Sequence, residues 1–120
     1  MKLFKDLRDG YVKWHANKLR IPAFDTSPAV RKHVVFSGKV QKVGFRLELY
    51  TIAQRLELTG WVKNREDGRV EAELQGEEAK VDFLIEAMQS LKRASVDACE
   101  VTDVPLNGTN EELTIVRQEV

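Results

Sequence analysis

Residues 38–46 read GKVQKVGFR, a pattern typical of a strand end, a glycine-bearing turn and the first turn of a helix. A helix start presents backbone N–H groups that have no partner within the helix, and it carries the positive end of the helix dipole. Gly44 allows the backbone to approach a ligand closely, and the guanidinium of Arg46 matches the geometry of a phosphate group. The stretch therefore predicts a cradle for an anion, formed where a strand gives way to a helix.

A second stretch, GWVKN at residues 60–64, follows after an interval of helical length. It would place the carboxamide of Asn64 at the end of a strand. Because an amide accepts and donates hydrogen bonds at once, Asn64 could hold a water beside a bound anion. Each residue alone has an ordinary explanation, since an arginine early in a helix is usually a solvated charge and an asparagine before a turn usually serves the turn.

The two stretches, with DGRVE at residues 67–71, resemble the signature of the acylphosphatase family. That signature is similar to Gly-x-Val-Gln-Gly-Val-Gly-Phe-Arg, then Gly-Trp-Val-x-Asn, then Asp-Gly-x-Val-Glu. The match in order and spacing is a stronger signal than a lone glycine loop. It lies wholly beyond residue 30.

One position departs from the family pattern, because Lys42 stands where the family usually has glycine. If that glycine adopts a positive φ, lysine would cost about 1 kcal/mol there and could tilt the N–H groups of the cradle. If the backbone angle is ordinary, the ammonium group adds positive charge near the phosphate or points into water.

The resemblance implies that the chain hydrolyses acyl phosphates to a carboxylate and inorganic phosphate, without a metal or a cofactor. It further implies that Arg46 binds the phosphate, that Asn64 orients the attacking water, and that the substrate's own phosphate oxygen takes the proton. The remaining phosphate oxygens would be bound by the backbone N–H groups of Gln41, Lys42, Val43, Gly44 and Phe45.

Acyl phosphates suit such a simple site because they are mixed anhydrides with a good carboxylate leaving group. Their cleavage requires a positioned phosphoryl group, stabilised charge and a water held in line. The alternative is a non-catalytic ferredoxin-like module that binds an anion or a partner, in effect a pseudoenzyme.

The hydrophobic pattern predicts an α+β fold, a ferredoxin-like α/β sandwich of βαββαβ order plus a terminal strand, with two helices on one face of an antiparallel sheet. The acylphosphatase family shares this fold. The expected strands begin near residues 33, 61, 70, 96 and 113, and the expected helices cover residues 45–58, with Gly60 ending the first of them, and 81–91. We place a domain boundary near Val30, so that residues 31–120 form the acylphosphatase-like domain.

Residues 1–30 form a basic N-terminal extension, predicted to be helical or partly disordered. Leu3, Leu7, Tyr11 and Trp14 form a stripe of helical spacing that Asp9-Gly10 interrupts. As a helix, this stripe would need burial against the domain, another chain or a membrane with anionic lipid. We expect the extension to be dispensable for chemistry, because the predicted site lies beyond it.

The composition limits the classes of partner. Residues 1–30 hold six Lys and Arg against three Asp and Glu, and residues 31–120 hold thirteen against sixteen, so the domain lacks a strongly basic nucleic-acid surface. The strand at residues 70–75 exposes Glu71, Glu73 and Gln75 where RNA readers expose aromatics. The lone Cys99 excludes a disulfide within the chain. We expect a cytoplasmic monomer that binds a small acyl phosphate and no nucleic acid.

Overall fold

Three helices and five strands make up residues 2–117, the part of the chain that the computed structural model describes. The helices are α1 (Lys2–Lys18), α2 (Phe45–Arg55) and α3 (Glu78–Gln89). The strands are β1 (Ala29–Lys39), β2 (Thr59–Asn64), β3 (Val70–Glu77), β4 (Ser95–Val104) and β5 (Thr114–Val116).

The strands form one sheet in the order β4-β1-β3-β2-β5. β1 is antiparallel to β3 and β4, and β2 is antiparallel to β3, which confirms the predicted ferredoxin-like order. The terminal strand differs from the expected antiparallel pairing, because β5 runs parallel to β2. The chain leaves β4 at one edge of the sheet and crosses to the other edge, where β5 pairs with β2.

The core lies between the helices and one face of the sheet. Along β3 the buried side chains of Val70, Ala72 and Leu74 alternate with the less buried Glu71, Glu73 and Gln75, as predicted. The period of two turns every second residue of a strand toward the helices. The other fully buried large core residues include Val34, Phe36, Phe45, Leu49, Ile52, Leu84 and Met88.

The crossover from β4 to β5 lies on the helix-free face of the sheet, where Arg31 anchors it. The Arg31 guanidinium, 6% exposed, donates to Glu111 at 2.7 Å and to Glu73 at 2.7 Å. The hydrogen bond from Arg31 lowers the pKa of Glu111, and the hydrogen bond to Glu111 raises the pKa of Arg31. This anchor holds the crossover in place before β5. It thereby determines the position of Arg117, the residue that follows β5.

The N-terminal helix packs on α2 through Val12 and Ala16, which are 1% and 0% exposed. Arg55 of α2 donates to the carbonyl oxygens of Ala16 and Leu19, each at 2.7 Å. These contacts fix the end of α1 against the domain. The helix also runs unbroken through Gly10, contrary to the expected interruption, at a cost of about 1 kcal/mol relative to alanine.

The domain does not cover the predicted apolar stripe of α1. Leu3, Leu7, Tyr11 and Trp14 are between 48% and 62% exposed. The opposite face packs instead, because the small side chain of Ala16 lets α1 approach α2 closely. Of the three ways of burying this stripe that the sequence left open, packing against the domain is not the one that the structure shows.

The first helix of the domain ends at Arg55, three residues before the predicted end. Glu57 takes the left-handed conformation with φ 58°, and the N–H of Leu58 donates to the carbonyl of Ala53 at 3.0 Å. This is the hydrogen-bond pattern of a helix C-terminus that usually contains glycine. Gly60, expected to end the helix, lies inside β2.

The packing of α1 predicts unequal effects for two truncations on that helix. Val12→Ala removes buried methyl groups and should lower the free energy of unfolding by about 2 kcal/mol. Leu3→Ala, the matched control at 61% exposure, should change it by less than about 0.5 kcal/mol. Urea unfolding of the full chain measures both. Equal effects of the two variants would show that α1 does not dock through Val12.

Candidate active site

The backbone from Gln41 to Phe45 forms a concave loop between β1 and α2. Lys42 and Gly44 have positive φ angles of 66° and 75°, whereas Gln41 and Val43 do not. Such alternation turns successive N–H groups toward one side and makes an anion nest. Within residues 2–117, none of the N–H groups from Gln41 to Phe45 donates to a protein acceptor. The cradle predicted from the sequence therefore presents its N–H groups at the start of α2.

Lys42 adopts the left-handed conformation, the first of the two alternatives considered for this position. Its φ of 66° lies where a side chain costs about 1 kcal/mol relative to glycine. The side chain is exposed. The loop thus forms with lysine in an angle that favours glycine.

Gly44 is required at its position for two reasons. Its φ of 75° favours glycine, and a Cβ atom there would lie 2.4 Å from Cγ2 of Val12. That distance is far inside van der Waals contact. The N-terminal helix therefore packs directly against the last turn of the cradle.

Arg93 holds the cradle from behind. Its Nε donates to the carbonyl of Val43 at 2.7 Å, and its Nη2 approaches the carbonyl of Gly44 at 3.4 Å. In a trans peptide the carbonyl and the following N–H point in opposite directions. Anchoring these two carbonyls therefore turns the N–H groups of Gly44 and Phe45 away from Arg93.

The charge of Arg93 is balanced by Glu48, a carboxylate that is 1% exposed. Glu48 accepts from Arg93 Nη2 at 2.6 Å and lies 2.8 Å from His15 Nδ1. Because His15 belongs to α1, one buried carboxylate joins the cradle, α2 and the N-terminal helix.

A cavity of about 190 Å³ opens over the cradle. It brings together Arg46 and Asn64, the two side chains predicted to act. Of the five predicted backbone donors, Val43 does not line the cavity, and its carbonyl makes the shorter of the two hydrogen bonds from Arg93. The remaining lining residues are Lys5, Arg8, Asp9, Val40, Gln41, Lys42, Gly44, Phe45, Leu47, Ile115 and Arg117.

Arg46 lies half-buried in the first turn of α2. Burial lowers the pKa of Arg46, and repulsion from Arg117 and Arg8 lowers it further. Within residues 2–117 its guanidinium makes no ion pair. Since arginine stays protonated in proteins, this is a desolvated positive charge that an anion would stabilise.

Gln41 ties the cradle to the turn after Asn64. Its Nε2 donates to the carbonyls of Arg65 and Arg69 at 2.8 and 2.9 Å. Asp67 closes that turn by accepting from the N–H of Arg69 at 3.1 Å, and this hydrogen bond lowers the pKa of Asp67. The side chain of Gln41 thus sets the spacing between the cradle and Asn64.

Several residues at the site lie outside the three sequence motifs. Lys5 and Arg8 share the helical spacing of Val12, but the sequence does not mark their face, because the larger apolar residues of α1 occupy another. Arg117 and Arg93 belong to no local pattern, since only the tertiary fold brings them to the cradle. No sequence signal pointed to either arginine.

The fold and the cavity define an α+β domain of ferredoxin-like topology with a cavity lined by cations at a helix start. A family model described as Acylphosphatase matches residues 32–115, and the chain belongs to the acylphosphatase family.

Individual relatives agree with this assignment. The chain is 43% identical over 75 residues to an acylphosphatase of Acidiphilium cryptum, covering 62% of this chain and 78% of the relative. It is 37% identical over 87 residues to one of Chlorobaculum tepidum, covering 72% and 95%. The crystal structure of acylphosphatase from Bacillus subtilis superposes with a TM-score of 0.68 at 33% identity, covering 72% of this chain and 98% of that one.

Replacement of Lys42 by glycine tests the strain in the cradle. Lys42→Gly removes a side chain from a left-handed backbone position and so relieves about 1 kcal/mol of strain. It also increases the conformational entropy of the unfolded chain. We expect the free energy of unfolding to change by less than about 1 kcal/mol and the affinity for phosphate to change modestly. Chemical denaturation and phosphate titration measure the two quantities. A rise in turnover by orders of magnitude would show that lysine misforms the natural cradle.

Arg93→Met tests whether the clamp behind the cradle orients its N–H groups. It removes charge-assisted hydrogen bonds to two carbonyls, each worth about 1.5–3 kcal/mol, so phosphate affinity should fall roughly tenfold or more. The neighbouring, exposed Lys92→Met is the control and should bind phosphate as the natural chain does. Calorimetric titration with inorganic phosphate on folded protein decides this. Unchanged affinity in Arg93→Met would contradict the role of the clamp.

Proposed function

We propose that this acylphosphatase cleaves its substrate in the cavity over the cradle, with Arg46 and Asn64 as the acting side chains. As a member of the family, the chain hydrolyses the carboxyl–phosphate bond of acyl phosphates and releases a carboxylate and inorganic phosphate. The assignment of that reaction to particular residues is our own inference.

Phosphate binding is supported above all by the charge of Arg46, which makes no ion pair among residues 2–117. Its guanidinium lies at the start of α2, beside the N–H groups from Gln41 to Phe45. A helix N-terminus and a planar fork of donors together match the oxygens of a phosphoryl group. In our proposal Arg46 binds two of these oxygens, and the cradle binds the others.

The attack on phosphorus uses a water held by Asn64. This role is supported by the position of Asn64, which ends β2 and lines the cavity that contains Arg46. The water oxygen forms a bond to phosphorus while the bond from phosphorus to the acyl oxygen breaks. The carboxylate leaves with the electron pair of that bond, and a phosphate oxygen takes the proton of the water.

The cradle and Arg46 stabilise the charge that develops on the phosphoryl oxygens. Preorganised donors in a partly desolvated cavity are worth more than the same donors in water. A loose transition state needs little further help, because the leaving carboxylate is stable without a proton. We therefore propose that a metal ion is not required.

The non-catalytic alternative is not favoured, because the family match covers residues 32–115 and includes the cradle, Arg46 and Asn64. The cytoplasmic location and the monomeric state stay predictions from the sequence. Among residues 2–117, no helix has the length and apolar character needed to cross a membrane.

Two alanine variants separate binding from turnover. Arg46→Ala should weaken phosphate binding by roughly tenfold or more and lower kcat/KM by at least as much, because it removes a charge-assisted clamp. Asn64→Ala should lower kcat by about 100-fold while phosphate affinity changes little, because it acts on the water. Steady-state kinetics on benzoyl phosphate and phosphate titration measure both effects, with and without a chelator.

The exposed Lys39→Ala, which removes a cation from the same stretch outside the cavity, is the control and should behave as the natural chain. Equal losses of phosphate affinity in Arg46→Ala and Asn64→Ala would contradict the division of roles. Activity that a chelator abolishes and a divalent cation restores would contradict the metal-free reaction.

A further inference from the structure

Three cationic side chains of the cavity lie outside the part of the chain that the family model matches. Lys5 and Arg8 belong to α1, Arg117 follows β5, and the match covers residues 32–115. We name these three residues the rim cations. They line the same cavity as Arg46 and Asn64.

The packing of α1 explains how two rim cations reach the cavity. Residues three and four apart share a face of a helix, so Lys5 and Arg8 lie on the side of α1 that continues from Val12. Val12 packs against Gly44 and thereby holds this face beside the cradle. The rim cations of α1 are thus placed by a buried contact.

The parallel pairing of β5 explains the third rim cation. Val116 pairs with Lys63 in the sheet, so the next residue of each strand, Arg117 and Asn64, lies at the same end of the pair. Both side chains line the cavity. The crossover that Arg31 anchors therefore determines where this charge lies.

The charge in the cavity exceeds what one phosphate group can balance. Its lining holds five cations, namely the rim cations, Lys42 and Arg46, and one carboxylate, Asp9, which lies 3.4 Å from Arg8. Repulsion from Arg8 and Arg117 lowers the pKa of Arg46. Lys5 and Arg117 make no ion pair among residues 2–117. A phosphoryl group brings only about two negative charges at neutral pH.

We propose that the rim cations bind a second anionic group at the acyl end of the substrate. The preferred substrates are then acyl phosphates that carry a carboxylate or a further phosphate on the acyl moiety. This proposal rests on the proposed function, because it takes the cradle and Arg46 as the site of the reacting phosphoryl group. It makes α1 a determinant of specificity.

A pair of substrates that differ by one charge tests the proposal in the full chain. Benzoyl phosphate and 4-carboxybenzoyl phosphate have the same reacting group, and the rigid ring keeps the added carboxylate from attacking it. The natural chain should show a kcat/KM at least about tenfold higher for the carboxylated substrate, and added salt should reduce this preference. Its 4-phosphono analogue distinguishes a phosphate from a carboxylate as the second anion.

Substitution of the rim cations should reduce that preference. Arg8→Gln, Lys5→Gln and Arg117→Gln should each lower kcat/KM more for the carboxylated substrate than for benzoyl phosphate, and the triple variant should bring the ratio near one. Lys13→Gln, an exposed cation of α1 outside the cavity, is the control and should keep both values. Losses that are equal for the two substrates would overturn the proposal and leave the proposed function standing.

Binding of stable analogues separates this inference from the reaction itself. Benzoylmethylphosphonate and its 4-carboxy derivative cannot be hydrolysed, and calorimetry compares their affinities. Binding of the carboxylated analogue should be at least about tenfold tighter, and Arg8→Gln should remove most of that difference. Equal affinities in the natural chain would overturn the proposal. Failure to hydrolyse either benzoyl phosphate would instead overturn the proposed function, and the analogues would still decide this inference.

Discussion

Glu48 is the constraint on which the rest of the site depends. A carboxylate that is 1% exposed must be paired, because burying an unpaired charge is far costlier than any single contact in the fold. Its partners are Arg93, which holds the carbonyls of Val43 and Gly44, and His15 of α1. Satisfying one buried charge therefore fixes the back of the cradle and the position of the N-terminal helix together.

This arrangement gives the first thirty residues a role in the site. The sequence alone suggested a leader separate from the chemistry, whereas α1 packs against Gly44 through Val12 and lines the cavity through Lys5 and Arg8. A boundary at residue 30 lies close to the start of the family match at residue 32. The site extends beyond that boundary, because α1 lines the cavity. Removing α1 would expose Glu48 and open the side of the cavity, so we expect the leader to contribute to both stability and activity.

The parts of the fold that could be predicted are those governed by local pattern. The alternation in β3 and the glycine-bearing turn before α2 follow from period and backbone preference, which sequence carries directly. The convergence of Arg46 and Asn64 was predictable only through the family resemblance, because no local sequence pattern indicates that residues 18 positions apart line one cavity.

The parts that could not be predicted depend on tertiary contacts. The sequence left open what covers the large apolar residues of α1. The face that packs on α2 carries small residues such as Ala16, which allow closer helix packing than tyrosine or tryptophan. Glu57, not Gly60, takes the left-handed position after α2, since the start of β2 already fixes the chain there. Arg93 and Arg117 reach the site by packing and by a crossover, and neither leaves a signature in the sequence around it.

A phosphate titration of the full chain, followed through the backbone amide signals in nuclear magnetic resonance, tests whether residues 41–45 form the phosphate cradle. The amide signals of residues 41–45 and the guanidinium signal of Arg46 should shift together and saturate with one dissociation constant. Signals of exposed lysines far from the cavity should stay in place. Unsaturated shifts spread over surface lysines, with residues 41–45 unmoved, would contradict the claim that this loop is the phosphate cradle.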